Sequence, residues 1–320
     1  MWQWGLTMLK RQEAGDRLSA AIPVLVLRSA TLQAIRKFFT DREFIEVETP
    51  VRIPAPAMEL NIDAEPSGRE YLRTSPELHM KRLLASGCER IFQIGPCFRQ
   101  NERGRIHNPE YTMLEWYRAN ANYHDILVDA KALLGSVASE VLGRTTLHVG
   151  RKTLELVGEW EYRTVADAFA QYAGWNPVLN FDHNRFDLDL VQKVEPGLKR
   201  HACPVVLADY PSECAALARR KPGNSAVAER WELYVGGIEL ANAFSELIDP
   251  VEQLERFRQC AALRKAGGKE VYSIDEDFMA VLPGMPPSAG VALGVDRLVM
   301  LLAGLESLDK VLPFREPVDA

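Results

Sequence analysis

Four pieces of this 320-residue chain place charge where a folded sheet would be apolar: Glu77, the run around Arg99, the pair Glu239 and Glu246, and Arg297. An arginine guanidinium is a planar fork that grips phosphate oxygens two at a time and keeps its charge at any working pH. A carboxylate within an apolar strand is costly unless a cation meets it, so Glu239 and Glu246 point to a metal ion or to a bound ammonium. An internal salt bridge to Arg99 or Arg297 would satisfy them equally. The two are seven apart, an odd offset that sets them on opposite faces of an unbroken strand. A bulge or bend near Asn242 and Ala243 would let both serve one pocket.

These residues need elements to hold them. Arg90–Ile94 and Cys97–Arg99 are rich in β-branched and aromatic residues, Tyr111–Tyr117 matches them, and a charged, Gly-containing centre separates the two sides. That pattern predicts a hairpin with Arg99 near its tip, which could hold a nucleotide or simply carry solvated charge. Ser75-Pro76-Glu77 opens a helix that runs through Leu84 and closes at Gly87, with serine as cap and proline at the first position. Residues 1–22 read as a loosely held arm, and a helix follows from Pro23 to about Arg42, then a strand from Phe44 that stops at Pro50. Tyr123–Leu142 carries Ile126, Leu127, Ala130, Leu133, Leu134 and Val137 on one face and predicts an amphipathic helix. Residues 145–225 show a strand pair, helices near Thr164–Tyr172 and Asp182–Lys193, and a strand at Val205–Leu207, with no chemistry visible among the charges. Strands at Trp231–Val235 and Ile238–Glu246, a helix over Pro250–Lys265, and a Gly-punctuated strand from Gly290 running into an apolar helix complete the chain.

Composition is that of a soluble globular protein, long enough for a large core. The net charge of −6 supplies no basic footprint for wrapping nucleic acid. Five cysteines without a C-x-x-C pair argue against a disulfide framework or a structural zinc, and predict buried thiols in a reducing cytoplasm. No signal peptide is visible and no run reads as membrane-spanning, so no membrane partner is expected.

Taken in order, the helix and strand ending at Pro50, the hairpin from Phe98-Arg99 through His107-Asn108-Pro109-Glu110 to Tyr117, Gly237-Ile238-Glu239-Leu240, and Gly294-Val295-Asp296-Arg297 resemble the signature motifs of class II aminoacyl-tRNA synthetases. The likeness spans about residues 23–313, and Arg90–Tyr117 is similar to the lysine-specific members. It implies an α+β fold, a class II synthetase-like antiparallel sheet flanked by helices, as a single catalytic domain over residues 23–320. Motif 1 begins too early to leave room for an anticodon-binding domain, so tRNA is not expected as a partner. Ser75 and Ala292 replace the alanine and glycine of lysyl-tRNA synthetases. At both positions the chain resembles the elongation factor P lysine ligases. The extra methyl of alanine narrows the pocket wall and can penalise an α-amino group while leaving a β-amino acid its room, worth roughly 1–3 kcal/mol.

The resemblance implies ATP-dependent activation of lysine or (R)-β-lysine as an adenylate, with Mg²⁺, and transfer to a lysine of elongation factor P. It assigns the α-phosphate to Arg99, the far phosphates to Arg297, and the metal to Glu239. Glu246 and Tyr117 correspond to the side-chain ammonium site, and Glu77 with Glu115, beside Ser75 and Ala292, to the other amino group. Gln100, Asn101, Glu102, Asn108, Leu240 and Gly294 would surround adenine and phosphates. Relatives place glutamate two residues after the motif 2 arginine, whereas here that place is Asn101 and Glu102 follows, so either could face the adenine amine. Motif 1 implies a homodimer. The competing readings are a stand-alone lysyl-tRNA synthetase-like enzyme and a non-catalytic lysine or adenylate sensor.

Overall fold

The computed structural model describes residues 2–315, with side chains from Leu18 onward. Its centre is a nine-stranded sheet among the described residues. In chain order these strands are β1 (Ile45–Glu46), β2 (Arg90–Phe98), β3 (Glu110–Ala119), β4 (Glu161–Thr164), β5 (Val205–Pro211), β6 (Arg220–Lys221), β7 (Asn224–Val235), β8 (Ile238–Ser245) and β9 (Ser288–Gly294). Across the sheet they run β1-β2-β3-β9-β8-β7-β5-β4, with β6 beside β7. Only β1 with β2 and β4 with β5 are parallel; the rest are antiparallel, as expected for this α+β class.

Helix α1 (Trp2–Thr40) begins well before Pro23, where the sequence predicts its start. A proline inside a helix forfeits one backbone bond. The helix nonetheless continues, and its C-terminal half buries Thr31, Ala34, Ile35, Phe38 and Phe39 against the sheet, where Phe39 stacks on Phe92 with ring centroids 4.8 Å apart. Leu18–Thr40 is also long and apolar enough, by length and composition, to cross a membrane, contrary to the sequence expectation. Scattered single charges hid that stretch from a reading for unbroken apolar runs. Helix α3 (Tyr123–Leu142) packs the predicted face, starts on an Asn122/Asp125 capping box and stops at Gly143 in the left-handed region.

Helix α2 (Glu77–Ala85) starts two residues beyond the predicted cap, although Ser75 Oγ still accepts the Glu77 N–H at 2.9 Å. The predicted bulge exists but lies earlier. Leu233 faces Ala241 while Tyr234 faces Glu239, so Leu240 is the extra residue in β8. One inserted residue restores phase between Glu239 and Glu246. Helices α4 (Pro250–Ala266) and α5 (Val295–Leu302) close the remaining sides of the site. All five cysteines are unpaired, but only Cys97 and Cys260 are buried, because the other three sit near loops.

Candidate active site

A cavity of about 810 Å³ opens over the central strands, lined by Arg99 and Tyr111 from the hairpin, Glu239 and Asn242 from β8, and Arg297 from α5. That volume suits a small ligand and its cofactor-sized partner. Residues 145–225, where the sequence reading found no chemistry, supply part of the wall through His183, Phe186, Tyr210 and the 212–218 segment. Ser75, Glu77, Asn101, Glu102, Asn108, Glu115, Tyr117, Leu240, Ala292 and Gly294 also line it. Two predicted residues do not. Gln100 turns its backbone N–H to Asp63 O at 2.7 Å, and Glu246 lies behind the wall with 1 % of its surface exposed.

At one end of the cavity sit three buried carboxylates, Glu77, Glu115 and Glu246. Ser75 Oγ donates to Glu115 Oε1 at 2.7 Å and Tyr117 Oη to Glu115 Oε2 at 2.9 Å. Burial pushes the Glu115 carboxyl up to about 7, and Glu77 adds to it. Lys81, fully buried one turn along α2, bonds Glu77 Oε1 and reaches Glu246 Oε2 at 2.5 Å. Burial alone would lower the Lys81 ammonium, but Glu246 and Glu77 together raise it, so it stays charged. Burial likewise pushes the Glu246 carboxyl up, with Lys81 opposing.

Ala292 stands in β9 directly opposite Glu115 of β3 on one side and Asn242 of β8 on the other. Two places down β9, Gly290 is forced by contact: a Cβ there would overlap the Tyr117 ring and lie 2.8 Å from Glu246 Oε1.

The other end is cationic. The Arg99 guanidinium lies 5.3 Å from the Tyr111 ring centroid and 3.6 Å from Glu102 Oε2, and its buried Nε has no hydrogen-bond partner. Arg297 donates from Nη1 to Glu239 O at 2.6 Å and to Glu239 Oε2 at 3.2 Å, while Nη2 meets His107 Nε2 at 2.8 Å. The internal salt bridge considered for Glu239 is therefore present, yet the Glu239 side chain stays 38 % exposed to the cavity. Asn108 spends its amide on Glu110 O at 2.6 Å, which shapes the hairpin tip, and Asn101 adopts φ +63° there.

A family model described as tRNA synthetases class II (D, K and N) matches residues 16–317. The chain belongs to this class II synthetase family. Among curated relatives, a lysine–tRNA ligase of Moorella thermoacetica is 36 % identical over 91 % of this chain and 64 % of its own length. Lysine–tRNA ligases of Bacillus subtilis (36 % identical) and Psychrobacter sp. PRwf-1 (35 %) match 90 % of the chain and 63 % and 62 % of their lengths. The chain thus spans a little under two thirds of these relatives.

The sequence reading missed four residues that the fold brings to the cavity or beside it. Lys81 follows Glu77 at i+4, which in sequence looks like an ordinary surface pair. Glu232 of β7 accepts from Arg230 Nη2 at 2.6 Å, from Tyr234 Oη at 2.7 Å and from Tyr210 Oη. Burial pushes its carboxyl up, Arg230 opposes this, and Glu239 adds to it, so the two carboxylates share one field. Among the described residues no group of three or more His, Cys, Asp or Glu is placed to bind a metal ion, and Glu232 already accepts three hydrogen bonds, so Glu239 is the freer of the two carboxylates for Mg²⁺. Gly290 could have been suspected from its place in a strand. Glu59, in the loop before α2, carried no signal at all.

Proposed function

We propose that this class II synthetase activates lysine or (R)-β-lysine with ATP as an aminoacyl-adenylate, and transfers the aminoacyl group to a lysine side chain of elongation factor P. The observation that carries the first half is charge balance. Glu77 and Glu246 share one cation, Lys81, while Glu115 is met by the hydroxyls of Ser75 and Tyr117, so the cluster holds more carboxylates than Lys81 alone can neutralise. Two ammonium groups on one substrate supply that complement. An uncharged analogue would leave carboxylates unpaired and be rejected.

In this reading Tyr117 lines the place of the side-chain ammonium, with Glu246 contributing its charge from behind the wall, and Glu77 and Glu115 receive the other amino group. The substrate carboxylate attacks the α-phosphorus of ATP, and pyrophosphate leaves. Arg99, with its unpaired Nε, steadies the charge that grows on the α-phosphate, and Arg297 holds the far phosphates. Positioning and charge neutralisation supply most of the rate in such a transfer. Glu239, with Glu232 behind it, would hold Mg²⁺, which supplies charge neutralisation along the triphosphate. Asn101 or Glu102 faces adenine, beside Asn108, Leu240 and Gly294. The apolar flank of α1, where Ile22 and Val26 are 56 % and 64 % exposed, supports a homodimer. Unpaired cysteines suit a reducing cytoplasm.

A second acceptor, tRNA, is favoured by the names of the matching relatives. ATP–pyrophosphate exchange with α-lysine and (R)-β-lysine, followed by transfer to elongation factor P or to tRNA, tests both halves. Exchange with either amino acid, lost in Arg99→Ala, and labelling of elongation factor P are expected. No exchange with any amino acid would sink the enzyme reading, and efficient tRNA charging would move the acceptor to tRNA.

A further inference from the structure

The carboxylates at the amino-acid end all have partners, but one other carboxylate on the cavity wall has none. Glu59 lines the cavity, half-buried, and among the described residues its side chain makes no hydrogen bond or ion pair. Its backbone, by contrast, is fixed firmly. Arg264 of α4, fully buried, donates from Nη1 to Glu59 O at 2.7 Å and to Ile62 O at 2.9 Å, and from Nη2 to Asp63 Oδ1 at 2.7 Å. Lys269 Nζ holds Leu60 O at 2.9 Å, and Tyr272 Oη accepts the Ala64 N–H at 2.8 Å. A loop tied down at this many points presents its single unpaired carboxylate to the cavity by construction.

Glu59 shares the cavity wall with Glu77 of α2, Arg99 of the hairpin, Arg230 of β7 and Cys260 of α4. Glu77 belongs to the amino-acid end and Arg99 to the phosphate end. Between them lies the region where the carbonyl of an aminoacyl-adenylate would sit, which is where the acceptor must attack.

We propose that Glu59 receives the attacking amine: its carboxylate binds the acceptor's ammonium between Glu77 and Arg99 and takes a proton from it as the nitrogen attacks. This rests on the reading above in which a primary amine is the acceptor. The ammonium gives one proton to Glu59, and the freed lone pair forms the C–N bond at the adenylate carbonyl. The bond from that carbon to the phosphate oxygen breaks, its electron pair leaves on AMP, and the second proton from nitrogen passes to the departing phosphate. Burial pushes the Glu59 carboxyl up to about 7, Glu77 adds to this, and Arg99, Arg230 and Lys81 oppose it. A carboxylate so raised is a stronger base than an ordinary one and is still ionised in part at neutral pH.

The test separates the two half-reactions. In Glu59→Gln, single-turnover transfer from the bound adenylate to Nα-acetyl-lysine, and to elongation factor P, is expected to fall about 100-fold, while pyrophosphate exchange changes less than about threefold. Capture by hydroxylamine, a nucleophile already unprotonated at neutral pH, keeps the wild-type rate, and Glu59→Asp recovers part of the transfer. A parallel fall in exchange would overturn the inference by making Glu59 part of amino-acid binding, and so would transfer at the wild-type rate. If the wild type transfers to Nα-acetyl-lysine but not to elongation factor P, the protein acceptor fails and Glu59 is judged on the small amine. Transfer to neither amine, with exchange intact, overturns both.

Discussion

Ser75 Oγ donates a 2.7 Å hydrogen bond to Glu115 Oε1, so a residue two positions ahead of α2 sets one oxygen of a carboxylate buried in β3. Ala292 faces the same Glu115 from β9. Two positions 217 residues apart in the chain thus converge on one group. Ser75 acts on its charge and Ala292 on the room beside it.

Replacing Ala292 with glycine is expected to shift preference toward α-lysine over (R)-β-lysine by about 10- to 200-fold, the worth of one methyl group in a pocket wall. The ratio of kcat/KM values in pyrophosphate exchange reads this directly. An unchanged ratio would show that the methyl does not touch the amino group.

Lys81→Met strands Glu77 and Glu246 without their shared cation. Breaking a buried pair from one side costs roughly 3–5 kcal/mol, because the partner charge stays buried. Urea unfolding should show a loss of that order. Adding Glu246→Gln and Glu77→Gln should recover much of it, and if it does not, packing around Lys81 matters more than charge.

Gly290→Ala tests the floor of the amino-acid end. The added methyl must displace Tyr117 or the Glu246 carboxylate, and overpacking of this kind costs about 1–3 kcal/mol. KM for lysine should rise far more than KM for ATP in exchange assays, since only the amino-acid end is crowded. Equal rises would mean that the sheet itself has shifted.

The pH dependence has a definite sign. With its carboxyl raised to about 7, Glu115 must shed a proton before it can accept from an ammonium. Affinity for lysine should therefore weaken as pH falls below about 7, and Glu115→Gln should flatten that limb; calorimetric titration across pH 6–8 measures it. Stability of the unliganded protein runs the other way. The folded value lies above the ordinary glutamate value of about 4.5, so the group's contribution is present below about 4.5 and is lost as pH rises through about 7. Chemical denaturation of Glu115→Gln should lack this decline.

The hairpin was legible in sequence because β-branched and aromatic residues alternate on both sides of a turn-rich centre, and α3 because its apolar face repeats at helical spacing. The phase problem of Glu239 and Glu246 was legible too, but not the place of its solution: a bulge depends on which residue the neighbouring strand leaves unpaired. The start of α1 was misjudged because proline usually opens a helix and here is carried inside one.

The order of the motifs along the chain, through their likeness to class II synthetases, determined the fold class, and intrinsic charge marked the arginines and carboxylates as candidates for phosphate and ammonium. The tertiary structure alone decided which of those charges were already spent. Lys81 became the partner of two predicted substrate carboxylates, and Glu246 moved behind the cavity wall. Glu59, anonymous in its loop, became the unpaired carboxylate. Burial and pairing depend on what a fold brings across the chain, and a buried charge is worth what its nearest neighbour makes it.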